Sequence, residues 1–222
     1  MLLDDADLDL FTQKLVTLCL PNTGQVCHAC TRILAPRSRF DEVLEATVGV
    51  LQATSIGDPL DPATDFGPLV SERQRERVEG YIRSGSEEGA RIVLGGGRPQ
   101  SQTVGYFVEP TVFVDARPEM PIVREEIFGP VLVVMAFEDD DDAVRLANTT
   151  PYGLGGTVFS EDIPRAVAVA RRLQTGQIGI NGAPGAPGAR HYGYKDSGAG
   201  GDAGVVAYTQ AKSINLPVEA LG

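Results

Sequence analysis

Segments of helical and of strand-like character alternate along this chain from one end to the other. That alternation restricts the fold more than any other feature of the sequence. Leu8, Phe11, Leu15 and Leu18 recur at helical spacing, with Asp5 or Asp7 in position to cap them. Residues 31–34 read as a short strand stopped by Pro36, and Phe40, Val43, Leu44, Val48 and Leu51 form a second helical stripe. Residues 57–68 carry Pro59, Pro62 and Pro68 and read as loop. Ser71-Glu72-Arg73-Gln74 predicts a capping box opening a third helix that ends near Gly89. Residues 91–94 follow as a buried strand, then the Gly95-Gly96-Gly97 turn, then β-rich runs over 107–114 and 131–137. Residues 154–159, a helix over 163–173, residues 177–181 and a terminal strand over 212–216 continue the pattern. Such alternation predicts an α/β fold of three layers, α/β/α, around a largely parallel sheet.

The bulk numbers exclude several classes of partner. A hydrophobic share of 42% over 222 residues supports a sizeable core, aliphatic rather than aromatic because Trp is absent. The net charge of -11, without a long Lys/Arg cluster, argues against nucleic acid and against an anionic membrane surface. No apolar run approaches the roughly 20 residues a membrane-spanning helix needs, and no signal-peptide pattern opens the chain. Cys19, Cys27 and Cys30 are an odd, closely spaced set, which fits a reducing cytoplasm better than a disulfide framework.

Cys27 stands out among the thiols. It follows the polar bend Asn22-Thr23-Gly24-Gln25-Val26 at the end of an amphipathic segment, where backbone N–H groups can stabilise a thiolate or an oxyanion. Cys19 lies in the apolar body of the preceding helix, as structural cysteines do. Cys27-His28-Ala29-Cys30 has the spacing of half a zinc site or of a dithiol redox pair. Zinc lacks support because His191 and Cys19 are the only other His or Cys side chains. A redox pair remains open, with Cys30 as a small apolar filler the simpler reading.

Three further motifs need weighing. Residues 139–142 are acidic and precede a helical run, where carboxylates favour the positive end of the helix dipole; a metal site is the lesser alternative. Gly95-Gly96-Gly97 is no phosphate loop, because no Lys-Ser/Thr and no helix follow, and no dinucleotide fingerprint occurs elsewhere. Glu125-Glu126-Ile127-Phe128-Gly129-Pro130 precedes a β-rich run. Its carboxylate suits a ribose diol and its ring a flat contact, although taken alone a solvated Glu, a core Phe and a turn account for it better.

Taken together and in order, these pieces resemble the NAD(P)-dependent aldehyde dehydrogenase superfamily over its C-terminal, catalytic-domain half. The resemblance runs through Asp4-Asp5-Ala6-Asp7-Leu8-Asp9, Asn22-Thr23-Gly24-Gln25-Val26-Cys27 with Thr31-Arg32, and Phe66-Gly67-Pro68-Leu69. It continues through Glu125 to Pro130, Ala147-Asn148 with Tyr152-Gly153-Leu154, and Ile180-Asn181. It implies that Cys27 attacks an aldehyde carbonyl and forms a thiohemiacetal, then a thioester, with the oxyanion held partly by the Cys27 N–H. It implies that Glu126 holds the nicotinamide ribose of NAD or NADP and that Phe128 packs against the cofactor. The resemblance also allows Gln74 a place near the cofactor, but its capping-box role explains it without that and is the favoured reading. No metal is implied.

The departures matter as well. The family's cofactor domain, general-base glutamate and oxyanion-hole asparagine precede its first segment matched here, so the chain is expected to be incomplete for dehydrogenation by itself. Arg190-His191-Tyr192-Gly193-Tyr194-Lys195 and Ser197-Gly198-Ala199-Gly200-Gly201-Asp202 keep only part of the family pattern. The expected organisation is a catalytic domain over 1–181 and a loop-rich return segment over 182–222. The latter carries a terminal strand that promotes oligomerisation. Expected partners are a small-molecule aldehyde and either further copies of the chain or an N-terminal half. A catalytically silent assembly module and a Cys27–Cys30 redox protein are the competing readings.

Overall fold

The computed structural model describes residues 1–185, 193–198, 209–210 and 212–217. The alternation read from the sequence is present throughout them. The helices are α1 (Leu8–Cys19), α2 (Phe40–Gln52), α3 (Glu72–Glu87), α4 (Pro121–Arg124), α5 (Asp140–Ala147) and α6 (Ile163–Arg172). The strands are β1 (Arg32–Pro36), β2 (Arg91–Leu94), β3 (Thr111–Val114), β4 (Val131–Phe137), β5 (Tyr152–Gly153), β6 (Gly155–Val158), β7 (Gln177–Ile180), β8 (Tyr194–Lys195) and β9 (Ser213–Asn215). They form a four-stranded sheet ordered β1-β4-β3-β2, a three-stranded sheet β6-β7-β9 and a pair β5-β8. β3–β4, β6–β7 and β7–β9 are parallel, while β2–β3 and β5–β8 are antiparallel. The fold is α/β.

The chain divides into two compact units, each discontinuous in sequence. One comprises residues 1–11, 34–39 and 136–222; the other comprises 12–33 and 40–135. In the first, Phe11 and Phe159 pack edge to face with ring centroids 5.6 Å apart. Val158, Val169, Ala170, Ile178 and Ile180 complete that core. In the second, Leu15, Val43, Phe66, Val78, Ile82, Phe113 and Leu132 are buried together with all of β3. A fully buried β3 has to be apolar on both faces, and Thr111-Val112-Phe113-Val114 supplies this, with the Thr111 hydroxyl donating to the Glu109 carbonyl at 2.9 Å.

The structure corrects four local expectations. The strand β2 is an edge strand with Arg91 exposed rather than a buried one, because only β3 pairs with it. The run over 107–114 is strand only from Thr111, since Pro110 cannot donate to a ladder. In α2, Thr47 rather than Val48 takes the buried position, its hydroxyl satisfied by the Val43 carbonyl at 2.7 Å. Finally, Pro36 ends β1 from within the strand rather than from outside it.

Other expectations are met. Asp7 is the residue whose carboxylate accepts the Leu10 N–H, at 3.0 Å, at the start of α1. Asp139 caps α5, accepting the Asp142 N–H at 2.8 Å. Among the described residues, no helix is long and apolar enough to cross a membrane. Residues 186–192 and 199–204 of the loop-rich stretch lie outside the described residues, and so does most of the modified motif that includes Arg190, His191 and Gly200.

Candidate active site

After α1 the backbone does something costly. Asn22, Thr23 and Gly24 stand at φ of 49°, 58° and 76°, three successive left-handed residues. For a β-branched residue such as Thr23 this is a steric outlier, and each strained non-glycine residue costs on the order of 1–3 kcal/mol. A bend of this kind persists only when its surroundings hold it. The Thr23 side chain is buried, and its hydroxyl donates to the Gly67 carbonyl at 3.2 Å. The Gln25 N–H and the Gln25 side-chain amide both donate to the Asn22 carbonyl, each at 3.1 Å. The Gln25 side-chain oxygen accepts the Val70 N–H at 2.9 Å. Gly24 has no freedom to be anything else, since a Cβ there would stand 2.1 Å from the Gly129 carbonyl oxygen. The bend, the Phe66-Gly67-Pro68-Leu69 motif and the Phe128-Gly129-Pro130 turn thus meet at one place.

Cys27 emerges from this bend exposed, whereas Cys30 is half-buried and Cys19 is buried. Burial pushes the Cys19 thiol well above its ordinary range and raises that of Cys30. The Cys27 N–H donates to no group among the described residues, although its neighbourhood is tied down. The Ala29 N–H donates to the Val26 carbonyl at 3.1 Å, and the Cys30 N–H to the Leu18 carbonyl at 2.9 Å. All three cysteines are free thiols, and no group of three or more His, Cys, Asp or Glu among the described residues is placed to hold a metal ion.

The second part of the site rests on one face of α3. The Gln74 side-chain amide donates to the carbonyls of Ile127, at 3.1 Å, and Phe128, at 2.8 Å. The Arg77 guanidinium donates to the Glu126 carbonyl at 2.8 Å and to the Tyr81 hydroxyl at 3.0 Å. That hydroxyl donates in turn to the Glu125 carboxylate at 2.7 Å. A Cβ on Gly129 would stand 2.5 Å from Val78 Cγ2, so the turn lies directly against the helix. Gln74, Arg77, Val78 and Tyr81 share this face by helical spacing. The two glutamates have different fates. Glu125 is tied to Tyr81, whereas the Glu126 carboxylate is exposed and has no partner among the described residues. Phe128 is held at φ 60° and is 37% exposed, which corrects the reading of it as a core residue.

Gln74 is also a correction. The Ser71 hydroxyl oxygen accepts the Gln74 N–H at 3.2 Å, which is half of a capping box, but the Gln74 side chain turns away from Ser71 to the 127–128 carbonyls. Sequence reasoning missed Thr23, Gln25, Arg77 and Tyr81 as parts of the frame. The signal for Arg77 and Tyr81 was their helical spacing from Gln74; Thr23 and Gln25 already stood in the motif before Cys27, and only their distant partners had no local signal.

The other quoted motifs organise backbone. Asn148 accepts the Gln174 N–H at 2.8 Å and donates to the Arg172 carbonyl at 3.1 Å. Lys195 donates to the carbonyls of Asn148 and Thr150 at 3.0 and 2.9 Å. Asn181 exchanges two bonds of 2.9 Å with the Ser160 backbone. The acidic run is an ion-paired helix start. Asp140 binds Arg165 at 2.7 Å, Asp141 binds Arg172 at 2.6 Å, and Asp142 binds Arg145.

The donor set fits one end of a dinucleotide. An unengaged carboxylate suits the hydroxyl pair of a ribose, and an exposed ring suits a flat base. The phosphates find no matching loop in this sequence, whose Gly95-Gly96-Gly97 is a turn after β2.

The sequence model of the aldehyde dehydrogenase family matches residues 1–214. Among curated relatives, geranial dehydrogenase of Castellaniella defragrans is 48% identical over 97% of this chain and 45% of its own length. A 3-succinoylsemialdehyde-pyridine dehydrogenase of a Pseudomonas species is 42% identical over 96% of this chain and 45% of its own length. Among solved structures, a Mycobacterium tuberculosis aldehyde dehydrogenase complexed with NAD+ superposes with a TM-score of 0.86 at 46% identity, covering 90% of this chain and 41% of that one. A mutant of aldehyde dehydrogenase C from Pseudomonas syringae, complexed with NAD+ and octanal, gives 0.87 at 40% identity, covering 93% and 43%. The chain spans about half the length of the curated relatives it matches.

Proposed function

The chain belongs to the aldehyde dehydrogenase family, and from that premise we propose that Cys27 is the acyl-forming nucleophile in oxidation of a small-molecule aldehyde to a carboxylic acid. The observation that carries the proposal is an exposed thiol, with its own N–H unengaged among the described residues, on a bend held against the turn that carries Glu126 and Phe128.

As thiolate, the Cys27 sulfur adds to the aldehyde carbon and the carbonyl electron pair moves onto oxygen, giving a tetrahedral thiohemiacetal. The unengaged Cys27 N–H is available to that oxyanion, a charge that exists only after attack. Glu126 would accept the ribose hydroxyls of NAD or NADP, and Phe128 would lie against the flat part of the cofactor. When bound, NAD(P)+ supplies the hydride acceptor that the oxidation requires. Water then cleaves the Cys27 thioester, releasing the acid and restoring the thiol.

We further propose that residues 1–181 act as the catalytic domain, residues 182–222 as a return segment with a terminal association strand, and that the reaction needs groups beyond those described here. Those groups include a general base and a phosphate-binding loop, from a polypeptide corresponding to the rest of the relatives' length. A cytoplasmic site of action belongs to the same reading, because the nucleophile must stay reduced.

The test is alkylation of the full chain by iodoacetamide, followed residue by residue by mass spectrometry. Cys27 is expected to react at least about a hundredfold faster than Cys19, whose burial disfavours the thiolate. Equal labelling of the two would remove the basis for a primed nucleophile.

A second reading, a catalytically silent assembly module, draws on β9 being the outer strand of the β6-β7-β9 sheet. Sedimentation analysis separates it: a chain that stays monomeric at high concentration excludes an assembly role.

A further inference from the structure

We infer that Gln25 is a positioning residue for Cys27: its side-chain amide clasps the left-handed bend to the segment at Val70 and so holds the Cys27 sulfur and N–H in their reactive presentation. The inference rests on the reading of Cys27 as nucleophile and adds to it the group that keeps the nucleophile in place.

The bend does not hold itself. Asn22 and Thr23 are non-glycine residues at positive φ, and such a conformation relaxes unless several contacts oppose it. Three restraints reach it from outside. The Gly24–Gly129 approach is steric and only limits movement in one direction. The Thr23–Gly67 bond is long at 3.2 Å. Gln25 is different, because one side chain works in both directions. Its Nε2 donates to the Asn22 carbonyl at 3.1 Å and its Oε1 accepts the Val70 N–H at 2.9 Å, across a sequence separation of 45 residues. The Gln25 N–H donates to the same Asn22 carbonyl, so that strained peptide is gripped twice by a single residue. Only Val26 separates Gln25 from Cys27. A rotation of the bend therefore passes directly to the thiol and to its N–H. Small misplacements of a reacting group cost large factors in rate.

The experiment measures iodoacetamide alkylation of Cys27 as a function of pH in the full chain, in Gln25→Met and in Gln102→Met. Methionine matches glutamine in length and lacks both hydrogen-bonding groups. In Gln25→Met, Cys27 should react about tenfold more slowly at every pH tested while the Cys19 rate stays where it was. Gln102 donates to the Ile56 carbonyl at 3.1 Å, so its replacement also removes a glutamine-to-carbonyl contact and should leave the Cys27 rate unchanged. An unchanged Cys27 rate in Gln25→Met, or equal changes at Cys27 and Cys19, overturns the inference while leaving the nucleophile reading intact. An unsubstituted chain that does not distinguish Cys27 from Cys19 overturns that underlying reading, and this inference with it. If Gln25→Met fails to fold, Val70→Pro serves instead, because it removes the N–H that Gln25 accepts at a residue whose side chain is exposed. The same slowing at Cys27 supports the clasp, and an unchanged rate overturns it.

Discussion

Two polar clusters in this chain are held in opposite ways. The Cys27 bend is fixed by side-chain groups bonded to backbone, by a steric approach of two glycines and by strained dihedrals, with no ion pair to it among the described residues. The cluster around Arg165 is fixed by charge: the guanidinium binds Asp4 at 2.6 Å and Asp140 at 2.7 Å, with Asp5 at 3.9 Å. In the charged cluster the groups satisfy one another. In the bend the frame is saturated, while the thiol and N–H at its end and the Glu126 carboxylate on the neighbouring turn are left over. Rigid surroundings with unengaged reactive groups are what a binding or catalytic constellation requires, and complete mutual satisfaction is what a structural joint requires.

The comparison breaks first at Gly24. Gly24→Ala places a Cβ against the Gly129 carbonyl oxygen, on a backbone that disfavours any side chain, and should lower stability by about 4 kcal/mol. Denaturant unfolding followed by fluorescence checks it, and a loss under about 1 kcal/mol would mean that the turn can retreat. Next comes Gln74→Ala, which leaves the Ile127 and Phe128 carbonyls without their donor and should cost about 2 kcal/mol. The same variant should release the Phe128 turn, read as faster amide hydrogen exchange over residues 126–130.

Arg165→Met is expected to be milder, about 1 kcal/mol, because its partners are partly exposed and solvent screens them. Here the distinction sharpens: added salt should shrink the effect of Arg165→Met and leave that of Gly24→Ala unchanged. The smallest effect concerns acid. The Arg165 guanidinium holds the Asp4 carboxyl below its ordinary value of 3.8. A lowered folded-state value means stability that is complete above the unfolded value and lost as pH falls through the folded one. Acidification from just above 3.8 downward should therefore loosen residues 1–11, seen as falling amide protection relative to the intrinsic rate at each pH, while protection over the Cys27 bend stays flat. Equal loosening of both would erase the contrast drawn between them.

Much of the fold was legible because it is local. Phe11 and Leu15 repeat at helical spacing and are buried, Asp139 precedes a helical run and caps it, and Gly95 and Gly96 take the positive φ that their turn needs. The errors arose where a local rule met a distant partner. Residues 91–94 look like a buried strand until the sheet order leaves them at an edge, and Gln74 completes a capping box in sequence but spends its amide on carbonyls 53 and 54 residues away. Phe128 reads as core by composition but is 37% exposed at a left-handed backbone position.

The sequence by itself determined the alternation of elements, the family, and Cys27 as the thiol at an element's end, because periodicity, turn residues and motif order are properties of neighbours along the chain. Tertiary structure alone decided which groups hold the bend, that Glu125 is engaged while Glu126 has no partner among the described residues, and that Gly24 must meet Gly129. The physical reason is that a strained bend and an unengaged carboxylate are defined by what lies across space. Hydrogen-bond partners 44 and 45 residues distant leave no local trace in a sequence until the fold brings them together.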